Sequence, residues 1–100
     1  MNIQKIPAKL DAETSKDVQQ KIIELLDQGQ HIALDFSSCE FISSVGLRVV
    51  LYSFKYAMSK ELSVFLVGVS EYVRQVMRLT GFEKHFKFYD TVEECLANQK

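Results

Sequence analysis

Four times along this 100-residue chain a short apolar run gives way to a segment with helical spacing, and so regular an alternation leaves few architectures open. "NIQKIPAKL" mixes apolar and polar residues like an edge strand, and Pro7 suits an edge or a bulge because it has no N–H for a ladder. "DAETSKDVQQKIIELLDQG" reads as a helix: Val18, Ile22 and Leu25 fall at i, i+4, i+7, Ile23 and Leu26 lie alongside, and Gly29 stops it. "HIALDF" is a short, largely buried strand, and the helix after it is predicted over about Ser44 to Ser59. "ELSVFLVG" is a strand by its β-branched and aromatic content. "SEYVRQVMRLTG" starts at Ser70 as N-cap, carries Tyr72, Val73, Val76 and Met77 on one side, and closes at Gly81. "FKFYD" is a last strand, and "TVEECLANQ" opens a short helix at Thr91 with Glu94 in the capping-box position. The expectation is one α/β domain over residues 1–100 with a parallel or mixed sheet, its function at the carboxyl ends of strands.

Composition excludes more than it assigns. Twelve basic residues, scattered along the chain, against 13 acidic give a formal charge of −1 and no electrostatic reason to expect nucleic acid or an anionic membrane. The first residues lack the apolar core of a signal peptide, and no run approaches a membrane span, so a cytoplasmic protein without membrane insertion is expected. Cys39, Cys95, His31 and His85 show no ligand-pair spacing; buried thiols are expected, with no metal and no cofactor. No nucleophile elbow, phosphate-cradling loop or Ser–His pairing is present, so no catalytic residue is assigned and a non-enzyme is expected.

The chemistry concentrates in "DFSSCEFISSVGLRVVL", Asp35 to Leu51. Ser43 and Ser44 stand where the helix begins and four backbone N–H groups lack partners, so one caps and the other is a turn residue. The same place tolerates added negative charge, and a phosphate on Ser44 would bring about −1.5 to −2. Gly46 in the first helical turn is costly unless another backbone must come close there. Leu47, Leu51, Phe54 and Met58 form the stripe expected to face the sheet. A second stripe, Val45, Val49, Tyr52 and Tyr56, implies either deeper burial or an apolar surface kept for a partner.

"HIALDFSSCEFISSVGLRVVL" resembles the core motif of STAS domains in the branch of anti-sigma factor antagonists. Leu34, Asp35, Phe36, Ser37, Phe41, Ile42, Ser43, Ser44, Gly46 and Leu47 fill that motif in register. "AKLDAETSKDVQQKI" is similar to the family's opening, with Leu10 and Asp11 matching, and "VFLVGVSEYVRQVMRLTGFEKHFKFYDTVEECLA" to its second half. The resemblance implies a small STAS-type α/β domain, a mixed sheet of about four strands with helices mainly on one side. It further implies a partner switch without enzymatic activity. The unphosphorylated protein binds a serine-kinase anti-sigma factor, phosphorylation at Ser44 releases it, and a PP2C-type phosphatase restores it. Carried over residue by residue, partner binding falls on Asp11, Asp35, Ser37, Ser43, Val45, Gly46, Arg48, Val49 and Tyr52. The alternative is a non-phosphorylated STAS adaptor in a signalling scaffold or a transport complex.

Three departures from the family pattern bear on this. Ser43 stands where many members carry Asp, making it a second candidate acceptor. Arg48 replaces a commonly small residue, one turn after Ser44, where a guanidinium can pair with phosphate. One more strand commonly precedes the "LD" strand in the family, so a smaller sheet, or an edge covered by another chain, is expected here.

Overall fold

The computed structural model describes residues 1–99. In chain order the elements are β1 (Asn2–Lys5), β2 (Lys9–Leu10), α1 (Ser15–Asp27), β3 (Ile32–Asp35), β4 (Phe41–Ile42) and α2 (Ser44–Ser59). They continue with β5 (Val64–Val67), α3 (Glu71–Leu79), a 3-10 turn (Glu83–His85), β6 (Lys87–Tyr89) and α4 (Val92–Ala97). The main sheet has the order β1-β3-β5-β6, and every pairing in it is parallel. Parallel neighbours need crossover connections, and α1, α2 and α3 supply them.

The four-stranded α/β sheet is thus present as expected, with all its ladders running one way. The central strands β3 and β5 are almost wholly apolar because both of their faces are covered, whereas the edge strands β1 and β6 carry polar residues. Ile32, Leu34, Val64 and Leu66 point into a core shared with Val18, Ile22 and Leu26 of α1, Leu47, Val50 and Ala57 of α2, and Val73 and Met77 of α3. Ala33, Phe65, Val67 and Tyr89 point the other way, onto Cys95 of α4. Three helices on one face and a six-residue helix on the other give the lopsided layering.

Two features differ from the sequence reading. "NIQKIPAKL" is two strands, because Ile6 N–H makes the last bond to β3, to the Asp35 carbonyl at 2.9 Å, and Pro7 has no N–H with which to go on. The released chain forms β2, which pairs in parallel with β4 as a separate two-residue ribbon, Lys9 against Phe41 and Leu10 against Ile42. This ribbon carries the start of α2.

The stripes of α2 also divide differently. Met58 is 61% exposed, whereas Val49 is only 4% exposed, part of the core that α1 and α2 build together. Val49 is therefore packing, and its expected place on an open partner surface is corrected: α1 covers the middle of the second stripe. Tyr56 is held too, its hydroxyl donating to Asp27 Oδ1 at 2.6 Å, with Lys60 Nζ 3.2 Å from the same oxygen.

Capping follows the sequence closely. Ser70 Oγ accepts from Val73 N–H, and Thr91 Oγ1 from Glu94 N–H at 3.0 Å. The Glu94 carboxylate reaches back to Asp90 N–H at 3.3 Å, one residue before the usual capping-box partner. His31 Nδ1 accepts from Ser63 N–H at 2.9 Å, tying the start of β3 to the approach of β5.

Two outcomes follow for stability. Val49→Asp buries a charge without a partner and is expected to lower the unfolding free energy by roughly 3 kcal/mol. Val45→Asp, on the exposed side of the same helix, should stay within about 0.5 kcal/mol of the parent, both read by urea titration with circular dichroism. The hydrogen bond from Tyr56, and then Lys60, hold the Asp27 carboxyl below its ordinary value of 3.8. A depressed carboxylate contributes stability above its unfolded value and loses it as pH falls through the folded one. Tyr56→Phe should therefore flatten the loss of stability below about pH 4, leaving its slope at neutral pH unchanged, in thermal melts across the acid range.

Candidate functional site

The ribbon sets the start of α2. The Leu10 carbonyl accepts the Ser43 N–H at 3.0 Å, and the Ser43 carbonyl accepts Leu47 N–H at 2.9 Å, beginning the helix. Ser43 Oγ accepts Gly46 N–H at 3.2 Å, which makes Ser43 the N-cap. Gly46 lies against the ribbon: a Cβ there would overlap the Leu10 carbonyl oxygen and come within 2.9 Å of Leu10 Cγ and 3.0 Å of Ile42 Cγ1. The close backbone approach expected of this glycine is what the structure contains.

Ser44 is the first helical residue and is exposed. Among the described residues its hydroxyl has no hydrogen-bond partner, unlike that of Ser43, Ser53 or Ser70. Of the two serines one is thus committed to the backbone, and the other is presented to solvent.

Apolar side chains surround Ser44 in sequence and stay open. Phe41 is 41% exposed, Val45 36% and Tyr52 41%, the last stacked on Tyr56 with ring centroids 5.9 Å apart. Arg48 is exposed, and among the described residues it joins no ion pair. A shallow groove of about 330 Å³ runs between α1 and α2 over Val45 and Val49, with Lys16, Gln19 and Gln20 on its far side. A larger groove, about 590 Å³, lies by Pro7, Val18 and Lys21 and does not include Ser44. Phe41 lies outside the binding set expected from the sequence, yet it is open beside those residues. The signal was period-two alternation in "FI": Ile42 turns into the core, so Phe41 turns out.

The acidic positions sit apart. Asp11 Oδ1 accepts the Glu13 and Thr14 N–H groups at 3.0 and 3.3 Å, so this carboxylate organises the entry to α1 close to the ribbon. Asp35 Oδ1 accepts Ser37 N–H at 2.9 Å, at the carboxyl end of β3. Ser37 packs on Gly68, whose φ of +66° and lack of a Cβ let the two backbones approach. Among the described residues no hydrogen bond joins Asp35 or Ser37 to Ser43 or Ser44. Ser43, Val45, Gly46, Arg48 and Tyr52 thus share α2 and its cap, Asp11 adjoins them through β2, and Asp35 and Ser37 mark the end of the main sheet.

The thiols are structural. Burial pushes the Cys39 thiol up, and the Cys95 thiol likewise. Among the described residues no three His, Cys, Asp or Glu side chains gather as a metal site. No helix there is long and apolar enough to cross a membrane.

Paired substitutions separate the two serines. Ser43→Ala removes the cap and should cost about 1 kcal/mol, while Ser44→Ala should change stability by less than about 0.5 kcal/mol. Gly46→Ala forces Leu10 and Ile42 to shift and should cost about 1–3 kcal/mol. All three are read as midpoint shifts in urea denaturation.

Known proteins resemble this chain in sequence and in fold. BtrV of Bordetella bronchiseptica, which bears the name of a candidate anti-sigma factor antagonist, is 26% identical over 89 residues, 88% of this chain and 77% of its own. A crystal structure of a candidate anti-sigma factor antagonist from Thermotoga maritima superposes with a TM-score of 0.84 at 28% identity, over 93% of this chain and 82% of that one. Bacillus SpoIIAA in its phosphorylated form shares the fold, with a TM-score of 0.77 at 21% identity over 98% of this chain and 89% of its own. The family model of the STAS domain matches residues 3–95, strand β1 through to Cys95 in α4, and the chain belongs to the STAS domain family.

Proposed function

We propose that this STAS domain is an anti-sigma factor antagonist switched at Ser44. Unphosphorylated, it binds a serine-kinase anti-sigma factor; phosphorylation of Ser44 by that kinase releases it, and a PP2C-type phosphatase resets it. The observation that carries the reading is the division of labour between neighbouring serines. Ser43 spends its hydroxyl on the Gly46 N–H, whereas the Ser44 hydroxyl is exposed on a helical turn and, among the described residues, unbonded. A transferring kinase needs such a hydroxyl. The relatives' names, candidate anti-sigma factor antagonists in Bordetella and Thermotoga, point to the same class of partner.

Physical chemistry supplies the release. Phe41, Val45 and Tyr52 offer apolar surface that gains from burial against a partner. A phosphate beside them adds about −1.5 to −2 charge, which must lose water on docking unless the partner supplies a cation. The acceptor lies at the amino end of α2, where negative charge suits the helix, so phosphorylation alters the surface while the domain keeps its fold.

The experiment is phosphorylation by the cognate serine kinase with ATP, followed by mass spectrometry of the peptide containing residues 41–48. Phosphate on Ser44, its loss in Ser44→Ala and its retention in Ser43→Ala are expected. Ser44→Asp should weaken kinase binding at least tenfold in isothermal titration, a change of about 1.4 kcal/mol. A protein that binds the kinase but takes no phosphate on Ser44 would exclude the switch.

A further inference from the structure

Arg48 is a charged side chain to which the fold gives no work. Among the described residues Arg74 and Arg78 are engaged by Glu83 and Lys60 by Asp27, yet Arg48 meets no carboxylate. It lies four residues after Ser44 in a continuous 16-residue helix, and both side chains are exposed. Residues at i and i+4 on a helix are neighbours, about 5–6 Å apart at Cβ, and an anion placed amino-terminal to its cation is the better order.

We infer that Arg48 is the internal counter-ion of phosphate on Ser44, an inference that rests on the modification proposed above. In the transfer, Ser44 Oγ forms a bond to the γ-phosphorus of ATP and the bond to the bridging oxygen breaks. ADP leaves, and the hydroxyl proton passes to a base of the kinase. The phosphate then lies along the flank of α2, where the guanidinium donates N–H groups to its oxygens. Guanidinium and phosphate match in shape as well as in charge.

The other charged groups near this end of the helix lie on neighbouring elements. Lys9 and Glu40 flank the β2/β4 ribbon, and Lys16 of α1 lies across the groove from Val45. The Asp11 carboxylate is held by the Glu13 and Thr14 amides. Arg48 is the cation on the acceptor's own helical face. Its capture gives phosphorylation a second effect: the modification adds an anion and also withdraws Arg48 from a partner.

The test installs phosphoserine at position 44 during translation, without any kinase, and follows its second ionisation by phosphorus NMR. With Arg48 present the titration midpoint should lie about 0.15–0.4 of a pH unit below that in Arg48→Ala and Arg48→Gln. Arg48→Lys should retain most of that shift, and raised salt should shrink it. Equal midpoints in the parent and both neutral variants would overturn the pairing. Because no kinase takes part, that failure is read separately from failure of a kinase to act on Ser44. Arg48 is exposed, and the two neutral variants guard against either one misfolding.

Discussion

The carbonyl of Leu10 holds the candidate site together. It accepts the Ser43 N–H at 3.0 Å, and its oxygen occupies the space a side chain at position 46 would need. One backbone group thus fixes both the cap of α2 and the identity of the residue in its first turn. Because the cap is bound on its backbone N–H, its carbonyl and its hydroxyl, it has no freedom left to present chemistry. The adjacent serine takes a fixed helical position, and among the described residues its hydroxyl makes no hydrogen bond. Rigidity at Ser43 and availability at Ser44 are two results of the same contact.

The ribbon matters beyond that contact. β2 lies in the first crossover and β4 in the second, so their pairing ties together the entries to α1 and α2. On the α1 side, Thr14 Oγ1 donates to the Lys9 carbonyl at 2.7 Å, and the Asp11 carbonyl accepts Ser15 N–H at 2.8 Å. Val49 then fills the seam between the two helices. Among the described residues no hydrogen bond ties the exposed serine to the carboxyl end of β3, where an open parallel sheet usually places function. Asp35 and Ser37 occupy that ordinary place. Between the two positions the chain is pinned by buried Phe36 and Cys39, and by Glu40 N–H donating to the Ala8 carbonyl at 2.8 Å. Motif residues adjacent in sequence therefore serve two neighbourhoods of the fold.

Much of this was legible in the chain itself, where local chemistry decides the outcome. The limits of α2, the caps at Ser70 and Thr91, and the close approach at Gly46 depend on residues within a few positions of one another. The failures share a different cause. Nothing near Val49 reveals that α1 lies over it, and nothing near Met58 reveals that the core ends before it; both depend on contacts distant in sequence. The break at Pro7 shows the intermediate case. The missing N–H is visible in the sequence, but that the freed residues find β4 as a partner is a matter of topology. Ser43 against Ser44 was undecidable from position, because either hydroxyl can cap. Only the bond from Gly46 N–H separates them.

A switch built on such a site works best when the modified residue is mobile in chemistry and immobile in structure. At the first helical position, phosphate is favoured by the helix and breaks no hydrogen bond, so little folding free energy opposes it. Almost all of its effect would then be available at the proposed docking face. There the open apolar side chains Phe41, Val45 and Tyr52 contribute on the order of 1–2 kcal/mol each when buried, a total that several kcal/mol of uncompensated desolvation can cancel. An acceptor at the cap itself would work less well. Phosphate on Ser43 would take the oxygen that holds Gly46 N–H, so part of its effect would go into loosening α2 rather than into the partner. In the proposed switch the order of the two serines, cap first and acceptor second, would keep the signal at the surface.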